Sequence, residues 1–345
     1  MNENESRPSP YPPSEWVGGL TWGEVLRFGG ERAGDNWPIA WVHGARGPGA
    51  HCLTSYGDGN GFGPRAHNYT LAFATLQGAP PELVPADLST DIDTPVGWGK
   101  EGIKASGLLM VNDVLYLFVR NYVVGDDWRH SRLAVSMDQG RTWTWVDWHF
   151  TESFGCPEFV QYGPNYAQAR DGYVYVVSQD GRSAYDFDPG VVLARVPGRL
   201  VMHREAYEFF AGYSRDGLVS WDADITKRQA MFSDPAGTQR VGLTYNAGLR
   251  RYFLTTAHSD GSGATHTPAL GVFDAPEPWG PWTTVYYADQ WADGWMIHHK
   301  FPPAWMSADG LTMWLAYSGE YRPGGIDYCL LTRKATLTMT GGESA

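Results

Sequence analysis

The residues best suited to chemistry in this chain are carboxylates. Asp35 stands in Gly-Asp-Asn-Trp just ahead of an apolar run, and Asp58 in Gly-Asp-Gly at the end of the next one. Two carboxylates about 5–5.5 Å apart suit retaining glycoside hydrolysis, and about 6.5–9.5 Å suits inversion with a water between them. One of the two must hold a proton while the other is ionised, and close like charges split proton affinities in that way. Asp35 is expected to be the base or nucleophile and Asp58 the acid. Each also has a plainer use, Asp35 as a capping carboxylate before a strand and Asp58 in an Asp-Gly turn. Glu158 and Glu320 are the reserve acids, or else solvated rim charges.

Polar groups that could grip a sugar surround these positions: Asn36, Lys104, Asn121, Arg182, Arg240 and His258. Arg240 and Lys104 suit a hydroxyl or a carboxylate, or a salt bridge to neighbouring acids. Trp37 and Trp98 are expected either to stack on sugar rings or to pack between sheets. His298 and His299 are adjacent, and adjacent strand residues point to opposite faces. A shared metal ion is therefore not expected, and one of the two should line the site. The run 57–63, GDGNGFG, looks like a calcium loop at Asp58 and Asn60, but Phe62 stands where a third ligand is needed. No metal or cofactor is expected.

The elements that must position these residues are β-hairpins. Helical periodicity is nearly absent, and a short apolar strand, a polar turn and a second strand recur five times. The hairpins are 37–41 with 52–59, 104–111 with 114–121, 157–163 with 173–180, 240–246 with 251–260, and 300–306 with 311–320. Further strands follow each, at 69–74, 132–136, 191–196, 269–274 and 327–333. Repeats of about 40–50 residues with four strands mark a β-propeller, and these are slightly longer. The expected fold is all-β, a five-bladed propeller of four-stranded antiparallel blades over 19–340. The segment 19–29 would supply the outer strand of the last blade and remove an open edge. Residues 1–18 read as a disordered leader and 341–345 as a tail. A β-sandwich with coincidental spacing is the alternative. In a propeller, first strands start and second strands end on one face, so the polar residues above should share one mouth, with the hairpin turns on the opposite face.

Composition narrows the partners. Lys and Arg number 26 against 38 Asp and Glu, a net charge of −12, which opposes binding to a phosphate backbone. No apolar run approaches a membrane span. The three cysteines, Cys52, Cys156 and Cys329, form neither a zinc spacing nor a disulfide framework. A glycan is the expected partner, bound by a monomer. The start has no hydrophobic signal segment, so the chain is either cytoplasmic or a mature secreted form.

Three resemblances bear on function. Ser136-Met137-Asp138-Gln139-Gly140-Arg141-Thr142-Trp143 resembles the Asp-box at blade turns of sialidase-type propellers, a structural motif whose single copy argues against a sialidase. Asp35, the Gly-Asp-Gly at 57–59 and the Lys-Phe-Pro…Trp-Met-Ser…Asp-Gly run at 300–310 resemble a bacterial propeller family long described as a domain of unknown function, some of whose members are endo-D-arabinanases. That resemblance spans most of 19–340. It implies glycosidic hydrolysis, with Asp35 and Asp58 matching the family's carboxylates. The segment 165–173, with Arg182 beyond it, is similar to propeller polysaccharide lyases. This implies β-elimination on a uronate-containing glycan, with Asn121 or Arg182 neutralising the carboxylate and Tyr166 as base. Tyr166, however, falls in the far-face turn. A non-catalytic glycan-binding propeller is the third reading.

Overall fold

The computed structural model describes residues 7–341 apart from 65–66, 96–101, 123–128, 260, 265, 293 and 323–324, with backbone alone at 95, 320–322 and 325–327. Among the described residues there is no α-helix, only short 3-10 turns between strands. The strands are rich in β-branched and aromatic residues, which suit a pleated, half-buried surface.

Strand pairing among the described residues gives four large antiparallel sheets and a two-stranded one, and the nine-stranded sheet is described below as units III and IV. Unit I holds Ile39–His43, His51–Tyr56, Tyr69–Gln77 and Val84–Leu88. Unit II holds Lys104–Val111, Val114–Arg120, Ser131–Ser136 and Thr144–Phe150. Unit III holds Glu158–Phe159, Tyr173–Gln179 and Asp188–Pro197, extended outward by Glu208–Tyr213 and Val219–Asp222. Unit IV holds Ala230–Asn246, Arg251–His258, Leu270–Ala275 and Thr283–Ala288. Unit V holds Ile297–Lys300, Thr312–Ser318, Leu330–Met339 and the N-terminal strand Val17–Phe28. Units III and IV join into one sheet where Gly190 pairs with Ser233 and Asp188 with Thr238. The extra hairpin of unit III accounts for the long spacing seen there in the sequence.

The strand expected at the edge of the last unit lies there: Val17–Phe28 pairs with Leu330–Met339, from Val17↔Met339 to Phe28↔Leu330. The first strand of unit V differs from expectation. It is Ile297–Lys300, and the expected strand residues Pro303–Trp305 form a 3-10 turn instead. Pro302 and Pro303 have no N–H to give a ladder, so pairing stops before them. In unit III only Glu158–Phe159 of the expected 157–163 strand pairs with its neighbour.

Nor is the segment from residue 7 to 18 a disordered leader. Tyr11 packs on Phe232 and Phe273, and Thr284 N–H donates to the Pro12 carbonyl at 2.7 Å. An aromatic anchor among prolines that are already extended lowers the entropy cost of docking. The Ser136–Trp143 segment makes the turn between the third and fourth strands of unit II. Asp138 accepts from the Thr142 backbone and hydroxyl, and the Trp143 indole donates to Gly140 O at 2.9 Å.

Side chains between neighbouring sheets form the core. Ala40, Leu53 and Phe73 of unit I meet Leu108, Leu117 and Trp143 of unit II. Phe118 and Phe150 of unit II meet Phe159 and Phe209 of unit III. Trp41 and Cys52 of unit I join Trp305, Met313 and Leu330 of unit V. All three cysteines are buried, and none forms a disulfide.

Candidate active site

Asp35 precedes the first strand of unit I and is pinned to the end of the returning strand. Its N–H donates to Gly57 O at 2.7 Å, and its carbonyl accepts from Gly57 N–H at 2.9 Å. Asn36 and Asp58 follow these positions with φ of 59° and 52°. Backbone runs so close here that a Cβ on Gly57 would lie 2.6 Å from Thr70 O, and one on Gly59 2.3 Å from Ala33 O. Gly-Asp-Gly is therefore a packing requirement that also turns Asp58 inward.

The two aspartates share a small cavity of about 50 Å³ with Asn36, Lys104, Arg120, Tyr185, Arg240, His266, Ile297 and Tyr328. Lys104 and Arg120 come from strands of unit II, Arg240 from unit IV and Ile297 from unit V, the others from connections, and the two aspartates are nearly sealed, 5% exposed at Asp35 and 4% at Asp58. Lys104 Nζ lies 2.5 Å from Asp58 Oδ1 and donates also to Thr70 Oγ1 at 3.0 Å. Asn36 Nδ2 donates to Asp35 Oδ1 at 2.5 Å, and Asn36 Oδ1 accepts from Arg120 Nη2 at 2.7 Å. Arg120 Nη1 and Asn121 Nδ2 both donate to the Tyr185 hydroxyl, at 3.1 and 3.2 Å. Arg120 and Arg240 each lie against the Tyr185 ring, 5.3 and 5.2 Å from its centroid. One hydrogen-bonded chain thus runs from Asp35 to Asn121.

The electrostatics separate the two carboxylates. Burial, and then the charge of Asp58, push the Asp35 carboxyl up to about 7, against the pull of Lys104, Arg240 and Arg120. Asp58 instead has its cation in direct contact. Burial and the neighbouring Arg120 lower Arg240 to about 10. Burial opposes ionisation of Tyr185, but Arg120 and Arg240 outweigh it and draw the phenol below its ordinary range.

Several expected residues are elsewhere. Trp37 is fully buried against Tyr56 and Phe62, so it packs between strands and offers no face to a sugar. Arg182 is half exposed and pairs with Glu152 at 3.5 Å, outside the cavity. His258 hydrogen-bonds Asp289 at 3.0 Å and stacks on Tyr287, which holds it against the outer strand of unit IV. Glu158 is not a rim acid: it forms a buried ion pair with Lys300 and does not line the cavity. His298 and His299 are buried and do not line the cavity. His298 Nε2 sits 3.9 Å from Cys156 Sγ, and burial followed by Arg120 holds its imidazole well below its usual value. Burial, then Lys300, lowers His299 to about 3. Asn121 reaches the site only through Tyr185. The Glu320 side chain and Trp98 lie outside the described residues. Lys104 faces Asp58 and Thr70, so it positions a carboxylate and does not grip a ligand.

Tyr166 lies on the opposite face, in the turn where Asn165 bonds Asp113. The three groups expected for β-elimination thus do not converge. Among the described residues no group of three or more His, Cys, Asp or Glu could hold a metal ion. At the calcium-like loop, the Lys104 ammonium occupies the side of Asp58 that a cation would need.

Tyr185, His266 and Tyr328 were missed in the sequence. Tyr185 and Tyr328 stand in connections next to strand ends, so the rule that found Asp58 could have found them had the loops been counted.

Comparison with known proteins now adds the family. The chain belongs to the family described as Domain of unknown function (DUF4185), whose model matches residues 103–325. No curated protein matches the sequence. Among solved structures, it is similar to a GH43_1 enzyme from Xanthomonas citri complexed with xylotriose, at TM-score 0.54 and 17% identity over 93% of this chain and 95% of that one. The same enzyme in a second structure gives TM-score 0.53 and 15% identity over the same shares. RS223-Beta-xylosidase gives TM-score 0.52 and 13% identity, over 91% of this chain and 94% of that one. At these identities the likeness is one of fold: all-β and propeller-like. No helix of the described residues is long and apolar enough to cross a membrane.

Proposed function

We propose that this protein is a glycoside hydrolase built on a five-bladed propeller ring that the Val17–Phe28 strand closes, and that it cleaves glycosidic bonds of a polysaccharide or oligosaccharide. The observation that carries the reading is the unequal aspartate pair: Asp35 held up to about 7, beside Asp58 in contact with Lys104, at one sealed cavity. This inequality supports the reverse of the roles expected from sequence. Asp35 gives its proton to the leaving oxygen as the glycosidic C–O bond breaks. Asp58, held against Lys104, attacks the sugar carbon or takes a proton from the attacking water. Arg240 and Asn36 face the sugar.

Further support comes from the fold relative complexed with xylotriose and from the sequence resemblance of Asp35, 57–59 and 300–310 to a propeller family that includes endo-D-arabinanases. The test is release of new reducing ends from arabinan and xylan by the wild type and by Asp35→Asn and Asp58→Asn. Each substitution should lower turnover about 100-fold or more, as loss of an acid or base does. Wild-type kcat should fall as pH rises through about 7, where Asp35 loses its proton. Unchanged turnover in both variants overturns the assignment.

A further inference from the structure

The described lining of the cavity carries three cations, Lys104, Arg120 and Arg240, against two carboxylates, Asp35 and Asp58. Lys104 is taken up by Asp58, and Arg120 by Asn36 and Tyr185. Arg240 is different. Its Nε donates to Ala184 O at 3.3 Å, and its two terminal nitrogens have no hydrogen-bond partner among the described residues. It is nevertheless 4% exposed. A buried guanidinium whose terminal nitrogens bond no anion directly is costly, and its planar fork matches a carboxylate in two parallel hydrogen bonds.

The backbone is bent to put it there. Arg240 has φ of 50°, at an irregularity of the pairing between Gln239 and Gly242, and Gln179 Oε1 holds its N–H at 2.7 Å. A left-handed conformation at an arginine within a strand costs free energy and persists only where its surroundings enforce it. The bulge re-aims the side chain into the cavity.

Size completes the argument. On the same measure one water needs about 10–15 Å³, so the cavity of about 50 Å³ has room for a carboxylate group. We propose that the cavity receives the exocyclic carboxylate of a uronic acid residue, gripped by the free fork of Arg240 while the sugar ring lies across the mouth. This rests on the glycosidase reading for the sugar, and on Arg240 for the acid. A neutral hexose would place a hydroxymethyl group there and leave the excess positive charge uncompensated.

Calorimetric titration of the full chain tests it with D-glucuronate and D-galacturonate, their neutral partners D-glucose and D-galactose, neutral D-glucuronamide, and acetate. Both uronates should bind at least about tenfold tighter than the neutral sugars, the amide and acetate. Arg240→Gln should weaken uronate binding about 10- to 100-fold, the scale of a lost charge-assisted hydrogen bond, and weaken the neutral sugars far less, so that the preference for the uronate collapses. Arg240→Lys, which keeps the charge without the fork, should fall between. Asp35→Asn should still bind uronates, which separates this proposal from the hydrolytic one: loss of cleavage in that variant leaves it standing. Amide or neutral sugar binding as tightly as the uronate overturns it, as does acetate binding equally well or a folded Arg240→Gln protein with wild-type discrimination. Should Arg240→Gln not fold, the uronate–amide comparison on the wild type decides the matter.

Discussion

Replacing Asp35 with Asn should make the protein more stable at alkaline pH, and the size of the effect follows from the site. A carboxyl moved from 3.8 to about 7 on folding binds its proton more tightly in the native state than in the unfolded chain. Between those values the native state holds a proton that the unfolded state has lost, so stability falls as pH rises across the window. Three pH units correspond to about 4 kcal/mol over the whole window, of which about 3 kcal/mol lies between pH 5 and pH 8. Asparagine is neutral at every pH and can still accept from Asn36 Nδ2, as Asp35 Oδ1 does at 2.5 Å. The variant should match the wild type near pH 4 and exceed it progressively above that. Urea unfolding of both proteins at pH 5 and pH 8 measures this, and taking the difference between them removes all other titrating groups. Equal unfolding free energies for the two proteins at pH 8 would refute the buried, charge-opposed picture of Asp35, whatever the enzyme assays show. Such a gain is what an active-site charge kept for function at the expense of stability produces.

Lys104→Met tests the other half of the pair. Removing the cation 2.5 Å from Asp58 in a sealed site should cost about 3–5 kcal/mol in urea unfolding at pH 8, and a loss below about 1 kcal/mol would mean the ion pair is dispensable. Trp37→Ala should cost about 3–5 kcal/mol because the indole is fully buried, while sugar affinity of the folded variant stays unchanged. A selective loss of sugar binding would restore Trp37 as a stacking platform.

Much of this arrangement was legible because strand alternation and repeat spacing are strong signals. Laying the hairpins over one another brought Asp35, Asp58, Lys104 and Arg240 to one mouth, and all four line one cavity. Most of the errors share one physical source. Position along a strand says which end a residue occupies, but its side chain follows the alternation rule only while the ladder is regular. The ladder slips between Gln239 and Gly242, between Ile297 and Lys300, and between Ala105 and Gly107. Positive φ values at Asn36, Asp58, Asn121, Arg240 and His298 mark the same rim. Arg240 lines the cavity, whereas His298 does not and packs beside Cys156. Trp37 fails for a different reason, since an aromatic at a strand start suits sugar stacking and sheet packing equally until its neighbours, here Tyr56 and Phe62, are known.

That concentration of irregular backbone has a consequence for the chemistry. A regular propeller blade would send alternate side chains into the sheet interfaces, where charged groups are costly. Irregular backbone accompanies the charges at Asn36, Asp58 and Arg240, and its free-energy cost must be offset by packing elsewhere. Phe118, on the strand that ends in Arg120, and Trp37 and Tyr56, close in sequence to Asn36 and Asp58, are fully buried and supply part of that packing. The strain therefore sits where the charges are, and relieving it at Arg240 with glycine at position 240 should stabilise the bulge while abolishing the grip on a carboxylate. Stability and ligand discrimination would move in opposite directions at that position, a signature that a merely structural arginine would not give.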